Sequence, residues 1–241
     1  MTQAPSIHLR GKHSIDGVHL FGPVDVTLPA GQWTCILGRS GVGKSTVLRL
    51  IADLTVAGKF AGQIIASDGA TIAGRVSFMG QSDLLLPWLN VLENTVLGAR
   101  LRGQKPDMER AGRLLDRVGL SHHAHKKPNA LSGGMRQRTA LARTLMEDRC
   151  IALLDEPFSA LDASTRADMQ ELAAEVLVDK TVLLVTHDPA EAVRLGHQII
   201  VLTPEAAQLW PTPQDAPVRD QYAPATVACQ AALLAHLRRT P

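Results

Sequence analysis

The chain is poor in aromatic residues, cysteine and net charge, and each shortage excludes a class of function. Aromatic side chains make up only 3% of the 241 residues, which argues against a surface that stacks nucleic-acid bases. The formal net charge of +2 gives no indication of binding to nucleic acid or to an acidic membrane surface. Cys35, Cys150 and Cys229 are far apart, so they predict neither a disulfide framework nor a zinc site, and a reducing compartment fits them.

Long apolar segments are also missing from the sequence. No run approaches the ~18 residues that a membrane span requires, and the first thirteen residues lack the apolar centre of a signal peptide. The composition is nevertheless 45% hydrophobic, which is enough to bury a substantial core. We therefore expect a cytoplasmic protein whose membrane role, if it has one, passes through a partner.

The hydrophobic pattern predicts an α/β domain with a helical insertion. Residues 7–80 resemble strands separated by Gly and Pro, and Asp68-Gly69 predicts a hairpin turn among them. Residues 91–101 and 108–118 have helical periodicity. From residue 150 onward, continuous apolar strands alternate with helices, which is typical of a parallel sheet covered on both faces. We predict one domain over residues 1–205, with a helical subdomain at about residues 82–149.

The rest of the chain, residues 206–241, is predicted to be a Pro-rich linker followed by a C-terminal helix. Five prolines lie within residues 203–224. Residues 225–237 are expected to form the helix, with Val227, Leu234 and Leu237 on its apolar side. Packing on the domain surface is the simpler interpretation of this helix, and a regulatory or partner-binding tail is the alternative.

The octet GRSGVGKS, from Gly38 to Ser45, fits the phosphate-binding P-loop pattern G-x-x-x-x-G-K-[ST]. Its glycines allow a tight turn that points backbone N–H groups inward, and Lys44 adds a charge for the β- and γ-phosphates. The Ser45 hydroxyl is suited to ligating Mg²⁺. A short apolar strand precedes the octet and a helical pattern follows it, which favours a P-loop over a Gly-rich surface turn.

Two carboxylates, Asp155 and Glu156, end the apolar run that begins at residue 151. In an open α/β sheet, ligands bind at the carboxyl ends of the strands, so Asp155 is expected near the Mg²⁺ that Ser45 holds. Glu156 is placed to orient or deprotonate the attacking water. His187 and Gln81 also follow apolar strands, and we expect all these ends to converge on one edge. A pair of surface acids and a capping histidine are the alternatives.

A second anion site is predicted at the start of another helix, inside the helical insertion. Ser132 is a natural N-cap, and Gly133 and Gly134 expose backbone N–H groups. A rigid insertion is not expected to fold this end onto the chain's own P-loop. In a sandwich of two chains, however, each site would be closed by the glycines of the other chain.

Taken together, these motifs resemble those of the ATP-binding cassette (ABC) ATPases. LSGGMRQR is similar to the family's signature, and GRSGVGKST, Gln81, ALLDEP, the SALD segment at residues 159–162 and His187 match the rest of its motifs in order. The resemblance covers roughly residues 5–205. It implies a P-loop NTPase of the ABC ATPase fold, with a mainly parallel core sheet, an N-terminal antiparallel β part and the helical subdomain. It also implies ATP hydrolysis with Mg²⁺ in a head-to-tail homodimer that binds two ATPs at its interface.

The resemblance also assigns roles to the motif residues. Glu156 corresponds to the catalytic carboxylate, His187 to the γ-phosphate switch, and Gln81 completes the catalytic set. Mg²⁺ is assigned to Ser45, Gln81 and Asp155. Ser132, Gly133 and Gly134 are assigned to bind the ATP of the other subunit, and Asp162 is assigned to link the two sites. The chain's own ATP is assigned to Gly38, Arg39, Ser40, Gly41, Val42, Gly43, Lys44, Ser45 and Thr46.

One departure from the family concerns adenine. The family usually has an aromatic residue near the N-terminal strand to stack on the base, whereas residues 9–13 here read LRGKH. The candidates to cover the base instead are Arg10, Lys12, His13 and Phe21.

A single cassette without a membrane span resembles the ATPase subunit of an importer whose permease is a separate chain. The apolar stretch at residues 84–86 and Trp88 is predicted either to receive the permease or to join the two subdomains. The resemblance implies a location on the inner face of the membrane, held there by the permease, with indirect contact to an extracytoplasmic solute-binding protein and no nucleic acid.

The segment from residue 85 to 103 is similar to the nitrate, sulfonate and taurine importer branch. The segment from residue 183 to 202, with its Pro-rich tail, looks closest to cassettes for uptake of hydroxymethylpyrimidine, a thiamine precursor. The resemblance therefore implies this precursor as the first candidate solute, with sulfonate, taurine or nitrate next. A non-transport cassette is the alternative, but the long coiled-coil insertion of repair cassettes and the second cassette of translation factors are both missing. A nucleotide-sensing module without turnover is opposed by the intact Glu156 and His187.

Overall fold

The computed structural model describes residues 4–239, which form nine strands, eight α-helices and two short 3₁₀ turns. Within these residues, no helix is both long and apolar enough to cross a bilayer. The strands are β1 (Ile7–Ile15), β2 (Val18–Leu28), β3 (Trp33–Leu37), β4 (Lys59–Ala66), β5 (Val76–Met79), β6 (Ile151–Asp155), β7 (Thr181–Val185), β8 (Gln198–Leu202) and β9 (Ala207–Trp210). The helices are α1 (Lys44–Ile51), α2 (Val91–Thr95), α3 (Leu97–Leu101), α4 (Met108–Arg117), α5 (Gly133–Met146), α6 (Ala163–Val176), α7 (Pro189–Leu195) and α8 (Pro224–Arg239).

The chain folds into two compact units. The first contains the residues up to Val76, Cys150–Asp155, and the residues from Val178 onward. The second contains Ser77–Arg149 and Glu156–Leu177.

The first unit contains an antiparallel sheet and a mainly parallel one. In the antiparallel sheet the strand order is β2-β1-β4. In the other sheet β6, β7, β3 and β8 are parallel neighbours, and β9 pairs antiparallel with β8 at the edge. Strands β3, β6 and β7 are buried along their whole length, which explains their continuous apolar sequences. The predicted antiparallel part and parallel core are both confirmed.

The second unit is helical, and polar residues define where its helices begin. Asn90 and Glu93 form a reciprocal capping box at the start of α2, and Asp107 caps α4. The helix predicted over residues 91–101 is divided at Val96, between α2 and α3. Gly119 follows the end of α4 with a φ of 66°, the left-handed geometry expected just beyond a helix C-terminus.

The predicted hairpin at Asp68-Gly69 is wrong. Strand β4 pairs with β1, and β5 is not part of that sheet. A carboxylate oxygen of Asp68 accepts from the Ala70 N–H at 3.1 Å, and Arg75 forms an ion pair with the same side chain. These contacts close a local loop. Asp68-Gly69 therefore lies in a turn of the chain, but β4 before it and β5 after it do not pair with each other.

Two predictions for the C-terminal region need correction. Strand β9 lies within the predicted linker and extends the parallel sheet by one antiparallel strand. The final helix is present as α8, but Leu233 is its fully buried leucine, whereas Val227 and Leu234 are exposed. Five alanines are distributed around this helix, so its apolar pattern does not define a single face.

Candidate functional site

The P-loop of the first unit runs from the end of β3 to the start of α1, and glycine is required at both ends of it. Gly38 has a φ of 156°, and a Cβ there would lie 2.3 Å from the carbonyl oxygen of Leu202. Gly43 has a φ of 99°, and a Cβ there would lie 2.7 Å from the buried ring of Phe21. The loop is therefore packed against the end of β8 on one side and against β2 on the other.

Lys44, the first residue of α1, holds the P-loop from within. Its Nζ donates to the carbonyl oxygens of Gly38 at 2.8 Å and Arg39 at 2.9 Å. The side chain is buried, while Ser45 and Thr46 are half-buried in the first turn of the helix. The lysine charge and the N–H groups at the helix start give this loop the electrostatics of an anion site.

Asp155 and His187 lie at the same edge of the parallel sheet as the P-loop. The strand register pairs Asp155 with Val185, and Val185 with Ile36. Gly38 comes two residues after Ile36 of β3, and His187 comes two residues after Val185 of β7. The ends of β3, β6 and β7 therefore meet at one edge of the sheet. The Asp155 carboxylate is buried there and His187 is exposed.

The start of α7 fixes the backbone on both sides of His187. The hydroxyl of Thr186 donates to a carboxylate oxygen of Glu191 at 2.6 Å and accepts from the Asp188 N–H at 3.0 Å. Asp188 in turn caps α7 through the Ala190 N–H. The backbone that carries the imidazole is thereby held at the sheet edge by a short, hydrogen-bonded turn.

Glu156 belongs to the second unit, where its backbone has an unusual conformation. Its φ is 49°, in the left-handed region that costs a non-glycine residue about 1–2 kcal/mol. Its carbonyl oxygen accepts from Nε2 of Gln137 at 3.0 Å and from the Ser159 hydroxyl at 3.1 Å. Oε1 of the same Gln137 accepts from the Ala160 N–H at 2.7 Å. A buried glutamine of α5 therefore anchors the segment that follows the two acids.

Ser132 and Gly134 mark the start of α5 in the second unit. The Ser132 hydroxyl accepts from the Met135 N–H at 3.3 Å, which confirms the predicted N-cap. A Cβ on Gly134 would lie 3.3 Å from the carbonyl oxygen of Ala160, so this helix start also packs against the segment after Glu156. Ser132 and Gly133 are exposed.

Asp162 begins α6 as its N-cap. Its carboxylate accepts from the Thr165 N–H at 3.1 Å, and this hydrogen bond is the main reason that the pKa of Asp162 lies below its ordinary value. The side chain is exposed and ionised, so it is available to a polar partner.

The loop after Gln81 presents apolar side chains to solvent. Gln81 is exposed just beyond β5, and Leu84 is 61% exposed with a φ of 48°. The Arg143 guanidinium holds the loop by donating to the carbonyl oxygens of Asp83 at 2.7 Å and Leu84 at 2.8 Å. Trp88 is 65% exposed. Leu85 is buried, so the predicted apolar stretch is divided between core and surface.

A cavity of about 410 Å³ adjoins the P-loop within the first unit. It is lined by His19, Leu20, residues 38–42, residues 201–204 and Leu237. Of the four residues considered for adenine, none is among the described residues that line it. Phe21 and His13 are fully buried and stacked with ring centroids 5.7 Å apart, so the expectation that either ring covers a base is wrong.

Comparison with known proteins gives consistent matches. The sequence model of the ABC transporter family matches residues 21–159. An uncharacterized ABC transporter ATP-binding protein of Haemophilus influenzae is 47% identical over 198 residues, which is 81% of each chain. The aliphatic sulfonates import ATP-binding protein SsuB 2 of Agrobacterium fabrum is 47% identical over 78% of this chain and 71% of its own. The dimeric, post-hydrolysis structure of the ATP-binding cassette MJ0796 bound to ADP and Pi superposes with a TM-score of 0.74, at 30% identity, over 89% of this chain and 99% of that one.

Proposed function

The chain belongs to the ABC transporter family and is an ATPase, and from this premise we propose that it is the ATP-hydrolysing subunit of an importer. The convergence of the P-loop, Asp155 and His187 on one sheet edge is the observation that carries the proposal. The import function of the sulfonate relative supports the direction of transport.

In this proposal the P-loop, residues 38–46, binds the triphosphate of ATP. Backbone N–H groups of the loop and of the α1 start receive the phosphate oxygens, and Lys44 moves its ammonium from the Gly38 and Arg39 carbonyls toward them. Glu156 orients the attacking water or accepts its proton, and His187 holds the γ-phosphate.

The oxygen donors of this edge suit Mg²⁺. A hydroxyl at Ser45 and a carboxylate at Asp155 are hard oxygen ligands, and the amide oxygen of Gln81 is assigned as a third. Within residues 4–239, no three His, Cys, Asp or Glu side chains form a metal-binding group. Mg²⁺ is normally held by one or two carboxylates together with substrate phosphates, so we propose that the ion arrives with its nucleotide. When bound, the ion neutralises charge that develops on the phosphates.

Catalysis is proposed to occur in a head-to-tail homodimer. The exposed Ser132 and Gly133, with Gly134, would bind the γ-phosphate of the ATP held by the other chain, and Asp162 would link the two sites. The dimeric state of the ADP- and Pi-bound MJ0796 cassette supports this assembly.

Trapping the dimer tests the proposal. Glu156→Gln is expected to bind ATP but hydrolyse it at least about a hundredfold more slowly, because an amide is a poor proton acceptor. With ATP and Mg²⁺ this variant should elute as a dimer in size-exclusion chromatography with light scattering. The double variant Glu156→Gln, Lys44→Ala is the control and should stay monomeric. A monomeric Glu156→Gln variant at saturating ATP would contradict the sandwich.

The permease is proposed to dock on the surface formed by Leu84 and Trp88. Leu84 occupies a strained backbone position that Arg143 holds in place, so its apolar side chain is kept in solvent at an energetic cost. Leu84 and Trp88 are both exposed in the same loop, and an exposed apolar patch marks a binding surface. Docking there would place the chain on the inner face of the membrane and bring it into indirect contact with a solute-binding protein.

For the solute, we propose an aliphatic sulfonate, which the named relative supports. A hydroxymethylpyrimidine is the second candidate, which the sequence of residues 183–202 favours. Because an importer's solute contacts the permease and the binding protein, the test is to purify the binding protein encoded beside this chain and titrate it with both compounds. Binding of neither compound would refute both assignments.

A further inference from the structure

The cavity beside the P-loop is walled partly by the C-terminal helix. Leu237, in the last turn of α8, lines this space together with Leu20 of β2 and residues 201–204 at the end of β8. Residues 38–42 of the P-loop line the same space. A group bound in the cavity would therefore be directly adjacent to the phosphate-binding backbone.

Contacts along α8 fix the position of Leu237. Leu233, one turn earlier, is fully buried in the first unit. The ring of His236 lies 4.8 Å from the ring of Trp210 at the end of β9. With its neighbours held on two sides, Leu237 is part of a formed wall of the cavity.

The chemistry of the walls suits a nucleoside. Six of the twelve lining residues are apolar, and three of these, Leu20, Pro204 and Leu237, are not buried. His19, Arg39, Ser40 and Thr203 add polar groups to the lining of the cavity. Its volume lies within the range of small-ligand sites. A purine ring is flat and has apolar faces, so burial against aliphatic side chains stabilises it without an aromatic partner.

We propose that the C-terminal helix is part of the nucleotide site, and that Leu237 contacts the base or ribose of the nucleotide whose phosphates the P-loop binds. This inference rests on the proposed ATP-binding function. It assigns a binding role to a segment beyond the ABC motifs, and aliphatic contacts from β2 and α8 replace the aromatic stack.

Paired leucine variants test the inference. Leu237→Ala is expected to weaken ADP binding about fivefold in calorimetric titration, because part of the apolar contact is removed. Leu234→Ala is the matched control: this leucine is on the same helix but is 38% exposed and does not line the cavity. Inorganic pyrophosphate, used to compete with ADP, should bind both variants as it binds the unaltered chain, since it reaches only the P-loop.

The outcomes separate this inference from the proposed function. Equal ADP affinity in the two leucine variants would overturn the role of α8, and so would tighter ADP binding by Leu237→Ala, which would mean that the helix blocks the cavity. A parallel loss of pyrophosphate binding would also overturn it, by showing a general disturbance of the loop. Lys44→Ala tests the underlying function: if it leaves ADP and pyrophosphate binding unchanged, the P-loop is not the nucleotide site at all.

Discussion

Replacing Gln137 by Leu should impair hydrolysis more than nucleotide binding. The amide of Gln137 makes three hydrogen bonds, to the Glu156 carbonyl, the Ser159 hydroxyl and the Ala160 N–H, at 2.7–3.2 Å. It is only 7% exposed, so water cannot readily replace those partners. At about 0.5–1.5 kcal/mol for each bond, the loss is expected to lower the free energy of unfolding by about 1.5–4.5 kcal/mol.

The effect on catalysis follows from the backbone of Glu156. Its φ of 49° is unfavourable, and the bond from Gln137 to its carbonyl is one of the contacts that oppose relaxation. Once that bond is lost, the carboxylate is expected to move by a fraction of an ångström or more. A displacement of about 1 Å costs up to about a hundredfold in rate, so we expect kcat to fall about 10–100-fold.

Urea unfolding and steady-state ATPase assays measure these two effects, and ADP titration checks that the P-loop is intact. Gln137→Glu keeps the acceptor for Ala160 but loses the donor to Glu156, so its kcat should also fall. Its unfolding free energy should fall at least as much as that of Gln137→Leu, because a buried carboxylate oxygen would face the Glu156 carbonyl oxygen. Thr139→Val is the control, because this buried hydroxyl bonds only within α5, to the Met135 carbonyl. If Gln137→Leu keeps kcat within twofold of the unaltered chain, the proposed anchoring of Glu156 is refuted.

Two further predictions concern the P-loop and the docking surface. Gly43→Ala should lower the free energy of unfolding by about 1–3 kcal/mol more than Gly41→Ala. Both positions have a positive φ, but only a Cβ at position 43 contacts the buried Phe21 ring. Equal urea midpoints for the two variants would contradict this. Trp88→Gln should reduce the membrane-sedimenting fraction of the chain in its own cells while basal ATPase is kept. Tyr222→Gln, which changes another exposed aromatic residue, should leave that fraction unchanged, and equal sedimentation of both variants would argue against docking at Trp88.

The parallel sheet and its binding edge could be predicted because their signals are local and strong. Continuous apolar runs at β3, β6 and β7 match burial on both faces, and in a parallel sheet all carboxyl ends meet at one edge. The P-loop could likewise be predicted from the spacing of its glycines, since few other motifs require glycine at these positions. The relative positions of Asp155 and His187 follow from these two facts.

The packing of the C-terminal region could not be predicted in the same way. On α8 the leucines and alanines leave several faces equally apolar, so periodicity favoured Val227 and Leu234, whereas tertiary packing buries Leu233. Strand β9 is short and only partly buried, with a prolyl residue directly after it. Its strand conformation depends on pairing with β8, which is a tertiary contact.

Gln137 shows what a motif leaves unstated. In the sequence it is part of LSGGMRQR, which predicts the start of a helix. Its hydrogen-bond partners lie 19–23 residues further along the chain and could be identified only from the folded structure. In the second unit, α5 begins at the exposed Gly133 and, one turn later, holds the backbone of Glu156 through this side chain. Rigid secondary elements carry coupling between sites, so a shift of the helix start on binding the other chain's nucleotide would also move the Glu156 carbonyl. In the proposed dimer, closure and alignment of the Glu156 carboxylate would then be coupled through a single helical turn.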